Sequence, residues 1–507
     1  MMIEGYATID ATAEYADRYA PVAFGLLGST GLKASRAGFG GYRISSGVSH
    51  HEQALKTAIR SGINLIDTSV NYADGGSETL MGEVLQDLTA GGEVQRHQVI
   101  VVSKVGYLQG ANYALSQQRR GEGRPFQDLV AYGEGLEHCI HPEFIEDQLS
   151  RSLTRLNLET IDGYLLHNPE YYLGWAQKNE LPVNSARDEY YRRIRAAFEH
   201  LEAEVARGRI RFYGISSNTF PAAADDPEFT SLETVWGIAN AVSSEHHFSL
   251  VQMPFNLLES GAVLEANQSE GRSALAFAAE KDLGVLINRP LNAFAAGGLL
   301  RLADLEQIQR LDTNEIIAKI RGLQKSETRF WRKILPHLDI PQPLKVRVKQ
   351  QNDVADSLKH YWKNFGSYEN FRQAQKGSFW PRVQGVLDFL APHGEQHREL
   401  AGWLTDHPLR LKEALDAVGT IYVEEAVRKL SRIRYAVNDA DSDWEKPGTL
   451  SQKAIRALRS TVGVTTVLVG MRRDAYVEDV LTELKQPLAQ TDRQDSWTQL
   501  DEALQGS

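Results

Sequence analysis

The sequence predicts an α/β fold: a closed (β/α)8 barrel with a large, mainly helical insertion between its seventh and eighth strands. Three observations carry that expectation. Eight short apolar, β-branched runs recur along the 507 residues, seven of them at intervals a barrel tolerates. Stretches with apolar residues every three or four positions follow them, which implies parallel strands joined by helical crossovers. The last run comes only after a long charged segment of helical pattern, so something is inserted there. A doubly wound open sheet is the structural alternative.

Taken in order, the strands fall in RAGFG (36–40), INLI (63–66), QVIVVS (98–103), IDGYLL (161–166), IRFYGI (210–215), SLVQM (249–253), GVLIN (284–288) and TTVLV (465–469). Each is short and runs into glycine or polar residues, and all but RAGFG are rich in valine, isoleucine and leucine, as strands buried on both faces tend to be. Helices are expected over 51–62, 77–88, 142–156, 189–208 and 271–283, where the apolar spacing has the helical period. The stretch 107–140, rich in glycine, glutamine and arginine, reads as a long loop after the third strand. The barrel is expected to occupy 1–300 and 449–507, and the insertion 301–448. That insertion carries Trp331, Trp362, Trp380, Trp403 and Trp444, enough bulk for a small helical core of its own. It reads as an added layer, with a lid or an oligomer contact as its functional alternatives.

Composition narrows the partners. A net charge of −11 disfavours a phosphate-backbone partner, which needs dense lysine and arginine on one face. No apolar run reaches the roughly 18 residues of a membrane span. Nothing at the N-terminus reads as a secretory signal, and the single Cys139 fits a reducing compartment, so the expected location is the cytoplasm. His50-His51, HCIH (138–141) and His246-His247 match no closed metal site, and no metal is expected. The expected partner is a small molecule.

In such a barrel, chemistry sits where strands end. Reading only those ends gives Asp67, Lys104, His167, Ser216 to Asn218, Gln252 and Asn288-Arg289. Tyr72 follows Asp67 by five positions, in DTSVNYADGGSE. A phenol titrates near 10, so it needs a cation beside it to give up a proton at neutral pH, and Lys104 can supply one. A buried lysine in turn needs a carboxylate to stay charged, and Asp67 can be that carboxylate. A neutral His167 can donate a hydrogen bond to a carbonyl oxygen as it becomes negative.

DTSVNYADGGSE, VIVVSKVG, IDGYLLHNP, YGISSN and the late VLVGMRR together resemble the aldo-keto reductase family over about 30–300 and 449–485. The resemblance implies a barrel that binds a nicotinamide cofactor without a Rossmann domain, and a carbonyl or alcohol substrate. It makes Tyr72 the general acid/base, Lys104 and Asp67 its tuning partners, and His167 the residue that orients the carbonyl. Ser216 and Asn218, or Ser217 if the alignment shifts by one, resemble the carboxamide-holding side chains, with Gln252. GFGGYR (38–43) resembles the first-strand turn; Gly41 stands where threonine is usual, and Tyr42 is placed against the substrate.

Two positions depart from the family. After the seventh strand, Asn288 and Arg289 replace the usual ring-stacking tyrosine, while Arg289, Pro290 and Leu291 remain expected cofactor contacts. After the eighth, Gly470, Arg472, Arg473, Tyr476 and Asp479 match the adenosine-phosphate region, but Val480 replaces its customary asparagine. The paired arginines favour NADP(H) over NAD(H). Two other function classes are set beside the NADP(H)-dependent carbonyl–alcohol oxidoreductase: a cofactor-binding regulatory or scaffold subunit, and a lyase or isomerase using Lys104 as a Schiff base.

Overall fold

A computed structural model of the chain describes residues 2–295, 298–306, 308–395 and 397–505; the few other residues of the expected barrel and insertion ranges lie outside that description. Eight parallel strands close into a barrel. They are β1 (Ala37–Gly40), β2 (Leu65–Asp67), β3 (Ile100–Val105), β4 (Ile161–His167), β5 (Ile210–Ser216), β6 (Phe248–Pro254), β7 (Gly284–Asn288) and β8 (Thr466–Val469). Each pairs with the next in sequence and β8 pairs with β1, so the doubly wound alternative does not hold. All eight strands fall where the apolar runs placed them.

The crossovers are α1 (Ser49–Arg60), α2 (Gly76–Ala90), α3 (Pro142–Leu156), α4 (Val183–Ala206), α5 (Leu232–Val242), α6 (Ala274–Glu280), α7 (Leu450–Ser460) and, after β8, α8 (Asp474–Leu484). Helix α6 begins three residues later than the sequence pattern, because Ser273 caps it by accepting the Ala276 N–H. Inside the barrel, Leu65, Ile100, Val102, Leu165, Leu250, Leu286 and Leu468 form one buried cluster. Each such leucine contributes about 1.5–3 kcal/mol of burial. Leu27, Leu32 and Ala34, from and beside an N-terminal hairpin, extend that cluster.

Register decides what meets at the other end. Gly40 lies beside Asp67, Lys104 beside Leu165, Ser216 beside both His167 and Gln252, and Pro254 beside Asn288. The polar residues that terminate the strands therefore share one rim.

Two expectations are corrected. The 107–140 stretch is not a loop: it holds a helix, Gly110–Gly121, and an antiparallel sheet of Tyr107–Leu108, Val130–Gly133 and Leu136–His138. Its helix buries Asn112 and Ser116 rather than aliphatic side chains, so the apolar period was invisible. Ser116, Gln117 and Arg120 there bond the buried carboxylate of Glu137. The second correction concerns the insertion. The chain divides into Met1–Leu291 with Ala436–Ser507, and Asn292–Tyr435, rather than at 301 and 448. Trp444 belongs to the first unit, where it packs on Trp497 at 5.0 Å and donates to Ser460 Oγ.

The second unit has its own core, including Leu323, Phe330, Phe371, Val383, Leu390, Trp403 and Leu411. Phe330, Trp403 and His407 stack in series at 4.1 and 4.5 Å. Among the described residues no helix is long and apolar enough to cross a membrane.

Candidate active site

Asp67, Lys104 and Tyr72 meet at the rim. Lys104, fully buried at the end of β3, donates from Nζ to Asp67 Oδ2 (2.8 Å), to the Thr68 carbonyl (2.8 Å) and to the Tyr72 hydroxyl (3.3 Å). Asp67 Oδ1 accepts from Gln252 Nε2 (2.9 Å), and Ser216 Oγ donates to Gln252 Oε1 (3.1 Å). A continuous chain of hydrogen bonds thus runs from Ser216 to Tyr72.

Burial opposes both charges of the ion pair. It raises the Asp67 pKa, against the pull of Lys104 and Gln252, and lowers that of Lys104, against the pull of Asp67. The Tyr72 phenol lies well above its ordinary value, first through burial and then through the Asp67 charge. The Lys104 ammonium at 3.3 Å does not outweigh those two effects, so Tyr72 keeps its proton through neutral pH.

The turn that carries Tyr72 is strained. Ala73 (φ 51°) and Asp74 (φ 53°) sit in the left-handed region ahead of Gly75 (φ 87°). Asp74 offsets part of that cost by accepting the Ala111 N–H with both carboxylate oxygens (3.0 and 3.2 Å), which fastens the turn to the Gly110–Gly121 helix.

His167, at the end of β4, meets Tyr72 edge-on at 5.8 Å between ring centroids, and Tyr107 at 4.7 Å. Burial, the Lys104 charge and His138 hold its pKa well below 6.5, so the imidazole is neutral. Tyr42, 64% exposed, stands edge-on to Tyr72 at 5.2 Å. Gly41 has no room for the usual threonine. A Cβ there would lie 2.6 Å from Ser77 Oγ and 2.7 Å from the Asp67 carbonyl oxygen.

The remaining expected residues separate into groups. Ser216 bonds Gln252, whereas Ser217 turns to Thr219 and Thr230, leaving Ser216 as the serine beside Gln252. Asn218 is exposed. Asn288 at the end of β7 has a buried Oδ1 with no hydrogen-bond partner. Arg289 is ion-paired with Glu259 at 2.8 Å; Pro290 is buried and Leu291 half-buried. Beyond β8, Gly470 has open space where a Cβ would be, Arg472 and Arg473 have no carboxylate partner among the described residues, and Tyr476 is 40% exposed. The Asp479 carboxylate, in contrast, is taken up by Thr449, Ser451 and Gln452 in the first turn of α7.

Sequence reasoning missed four residues at this rim. Ser69 and Asn71 lie between Asp67 and Tyr72 and bond towards His167, and Gln109 bonds Asn71. Glu170, buried, accepts the Asn218 N–H at 2.8 Å, and burial pushes its carboxyl up to about 7. The signal was present in DTSVNY and HNPE, but these residues stand in the loops rather than at the strand ends.

A closed (β/α)8 barrel with a buried Lys–Asp pair, a phenol and a neutral imidazole on one rim defines the class. The sequence profile of the aldo/keto reductase family matches residues 37–315, more than half of the chain, and the chain belongs to that family. It is 30% identical over 149 residues to the NADH-specific methylglyoxal reductase of Escherichia coli, covering 28% of this chain and 40% of that protein. It is 29% identical over 164 residues to a candidate voltage-gated potassium channel subunit beta of Schizosaccharomyces pombe, covering 32% and 40%. The chain spans less than half the length of these curated relatives. A solved aldo-keto reductase, AKR11C1 of Bacillus halodurans, aligns at 14% identity with a TM-score of 0.48, over 94% of this chain and 96% of that one.

Proposed function

We propose that the protein is a nicotinamide-dependent oxidoreductase that interconverts a small-molecule carbonyl and its alcohol. The observation that carries this reading is the convergence of Tyr72, Lys104 and Asp67 in one hydrogen-bonded cluster with the His167 ring against it. When bound, the cofactor supplies or accepts the hydride. Ser216, Gln252 and the unsatisfied Asn288 Oδ1 suit an amide at one end of such a ligand, and Arg472 and Arg473 suit phosphate at the other.

In the reductive direction Tyr72 gives its proton to the carbonyl oxygen. Lys104 stabilises the phenolate left behind, and Asp67 keeps Lys104 charged while that happens. His167, neutral, donates a hydrogen bond to the same oxygen and fixes the carbonyl's orientation.

The raised Tyr72 pKa sets the pH dependence. Reduction needs the protonated phenol, which is present below that pKa, so its rate should stay level through neutral pH and fall only in strong alkali. Alcohol oxidation needs the phenolate, so its rate should rise by about tenfold per pH unit towards the same point. Initial rates in both directions from pH 6 to 11 check this; an oxidation rate flat across that range would contradict the role of Tyr72.

For the cofactor we favour NADP(H) over NAD(H), on Arg472 and Arg473. Replacing both by alanine is expected to weaken NADPH binding by roughly 10- to 100-fold, the loss of one or two charge-assisted contacts, and to leave NADH binding nearly unchanged. Fluorescence titration of both cofactors decides it, and equal losses would remove the preference.

A further inference from the structure

His167 has an attachment of its own through Nδ1. Ser69 Oγ lies 2.9 Å from His167 Nδ1, 2.7 Å from Asn71 Oδ1 and 3.4 Å from the Lys104 carbonyl oxygen, and Asn71 Nδ2 lies 3.2 Å from Gln109 Oε1. Ser69 is fully buried, so water does not substitute for these partners. No described group bonds His167 Nε2, which leaves that nitrogen to meet a substrate.

A hydroxyl has one proton to give. If Ser69 donates to the Asn71 amide oxygen, His167 Nδ1 must donate to Ser69, and Nε2 of the neutral ring is then a bare acceptor. If Asn71 instead turns its NH2 to Ser69, the hydroxyl donates to Nδ1 and the proton moves to Nε2, which can then donate to a carbonyl. The Gln109 amide can reverse in step, so the chain is complete in either polarity. Asn71 is half-buried and Gln109 exposed.

Resting on the carbonyl–alcohol reading above, we propose that Asn71 and Ser69 are positioning residues that set which nitrogen of His167 carries its proton, and so whether the site can donate to a carbonyl oxygen. The heavy-atom distances fit both polarities, and carbonyl reduction needs the donor one, in which Asn71 presents its NH2 to Ser69 and His167 rests as Nε2–H. The ring's other neighbours leave the choice to Ser69: His138 bonds the His167 carbonyl at 2.7 Å, Tyr72 and Tyr107 meet it edge-on, and Lys104 is directed to Asp67, Thr68 and Tyr72. Because burial keeps the ring neutral, its tautomer rather than its charge is the variable.

Asn71→Asp tests this, because a carboxylate at 71 can only accept and forces Ser69 to donate away from the ring. The ring nitrogens of His167 are read by 15N NMR on the full chain without cofactor, and carbonyl reduction by steady-state kinetics. In Asn71→Asp, His167 is expected as the Nδ1–H form, with kcat/KM for reduction down by about 100-fold, the loss of one preorganised donor. Asn71→Ala, which leaves Ser69 with Nδ1 at 2.9 Å as a nearer acceptor than the Lys104 carbonyl at 3.4 Å, is expected to keep the ring as Nε2–H and to cost much less. Adding Ser69→Ala to Asn71→Asp keeps the charge and removes the relay, so the tautomer shift should vanish. The proposal is overturned if Asn71→Asp leaves the tautomer unchanged, or if the shift survives in the double variant. A tautomer shift in a protein that reduces no carbonyl would uphold the hydrogen-bond chain and sink the oxidoreductase reading instead.

Discussion

Tyr72→Phe is expected to lower carbonyl reduction by about 10²- to 10⁴-fold, the range a positioned general acid contributes. The substitution removes one oxygen and keeps the ring that packs edge-on against Tyr42 and His167. Cofactor affinity should therefore stay close to that of the unaltered protein, since Tyr72 touches neither the Ser216–Gln252 pair nor Arg472. The split between the two readouts carries the meaning. A loss of turnover with intact binding assigns the proton to Tyr72, whereas a parallel loss of both would point to a collapsed site. Turnover near the unaltered rate would contradict the assignment.

Lys104→Met is expected to cost both activity and stability. It leaves Asp67 buried, 5% exposed at its side chain, with only Gln252 as a side-chain donor. Removing one partner of a buried ion pair costs about 3–5 kcal/mol. The sign of the pH dependence separates this from a simple packing loss. With its cation gone, Asp67 has a folded-state pKa above the unfolded value, so the folded protein binds the extra proton and stability falls as pH rises between the two. Urea unfolding at pH 5 and pH 8 should therefore show the larger deficit at pH 8. Adding Asp67→Asn should recover most of it, because no buried charge then remains. A deficit independent of pH, or no recovery in the double variant, would show that the pair is not what stabilises the rim.

The barrel was legible because its strands are buried on both faces, and continuous runs such as VIVVS or GVLI leave little else for a segment of that length to be. Asp67, Lys104 and His167 were legible for a related reason, since an ionisable residue directly after such a run stands on the rim. What the sequence concealed was polar structure that packs by hydrogen bonds. The Gly110–Gly121 helix buries Asn112 and Ser116, and its sheet buries Glu137, so no apolar period betrays either element. Ser69, Asn71 and Glu170 were passed over because each acts through a neighbour: Ser69 and Asn71 through His167, Glu170 through the Asn218 backbone. Arg289 and Asp479 show the converse, matching a motif by position while Glu259 and the first turn of α7 engage their charges.

The central claim is that this rim moves a hydride equivalent to a carbonyl carbon while Tyr72 delivers the proton. Its most direct test is to supply the full chain with NADPH carrying deuterium on the transferable ring position, together with a panel of aldehydes, ketones and sugars, and to analyse the alcohols formed. Deuterium is expected at the carbinol carbon of at least one product, on one face only, and that labelled product should form about 10²- to 10⁴-fold more slowly when Tyr72→Phe replaces the unaltered protein. Tight cofactor binding with no deuterium in any product across the panel would contradict it, and would favour a cofactor-binding regulatory subunit built on the same barrel.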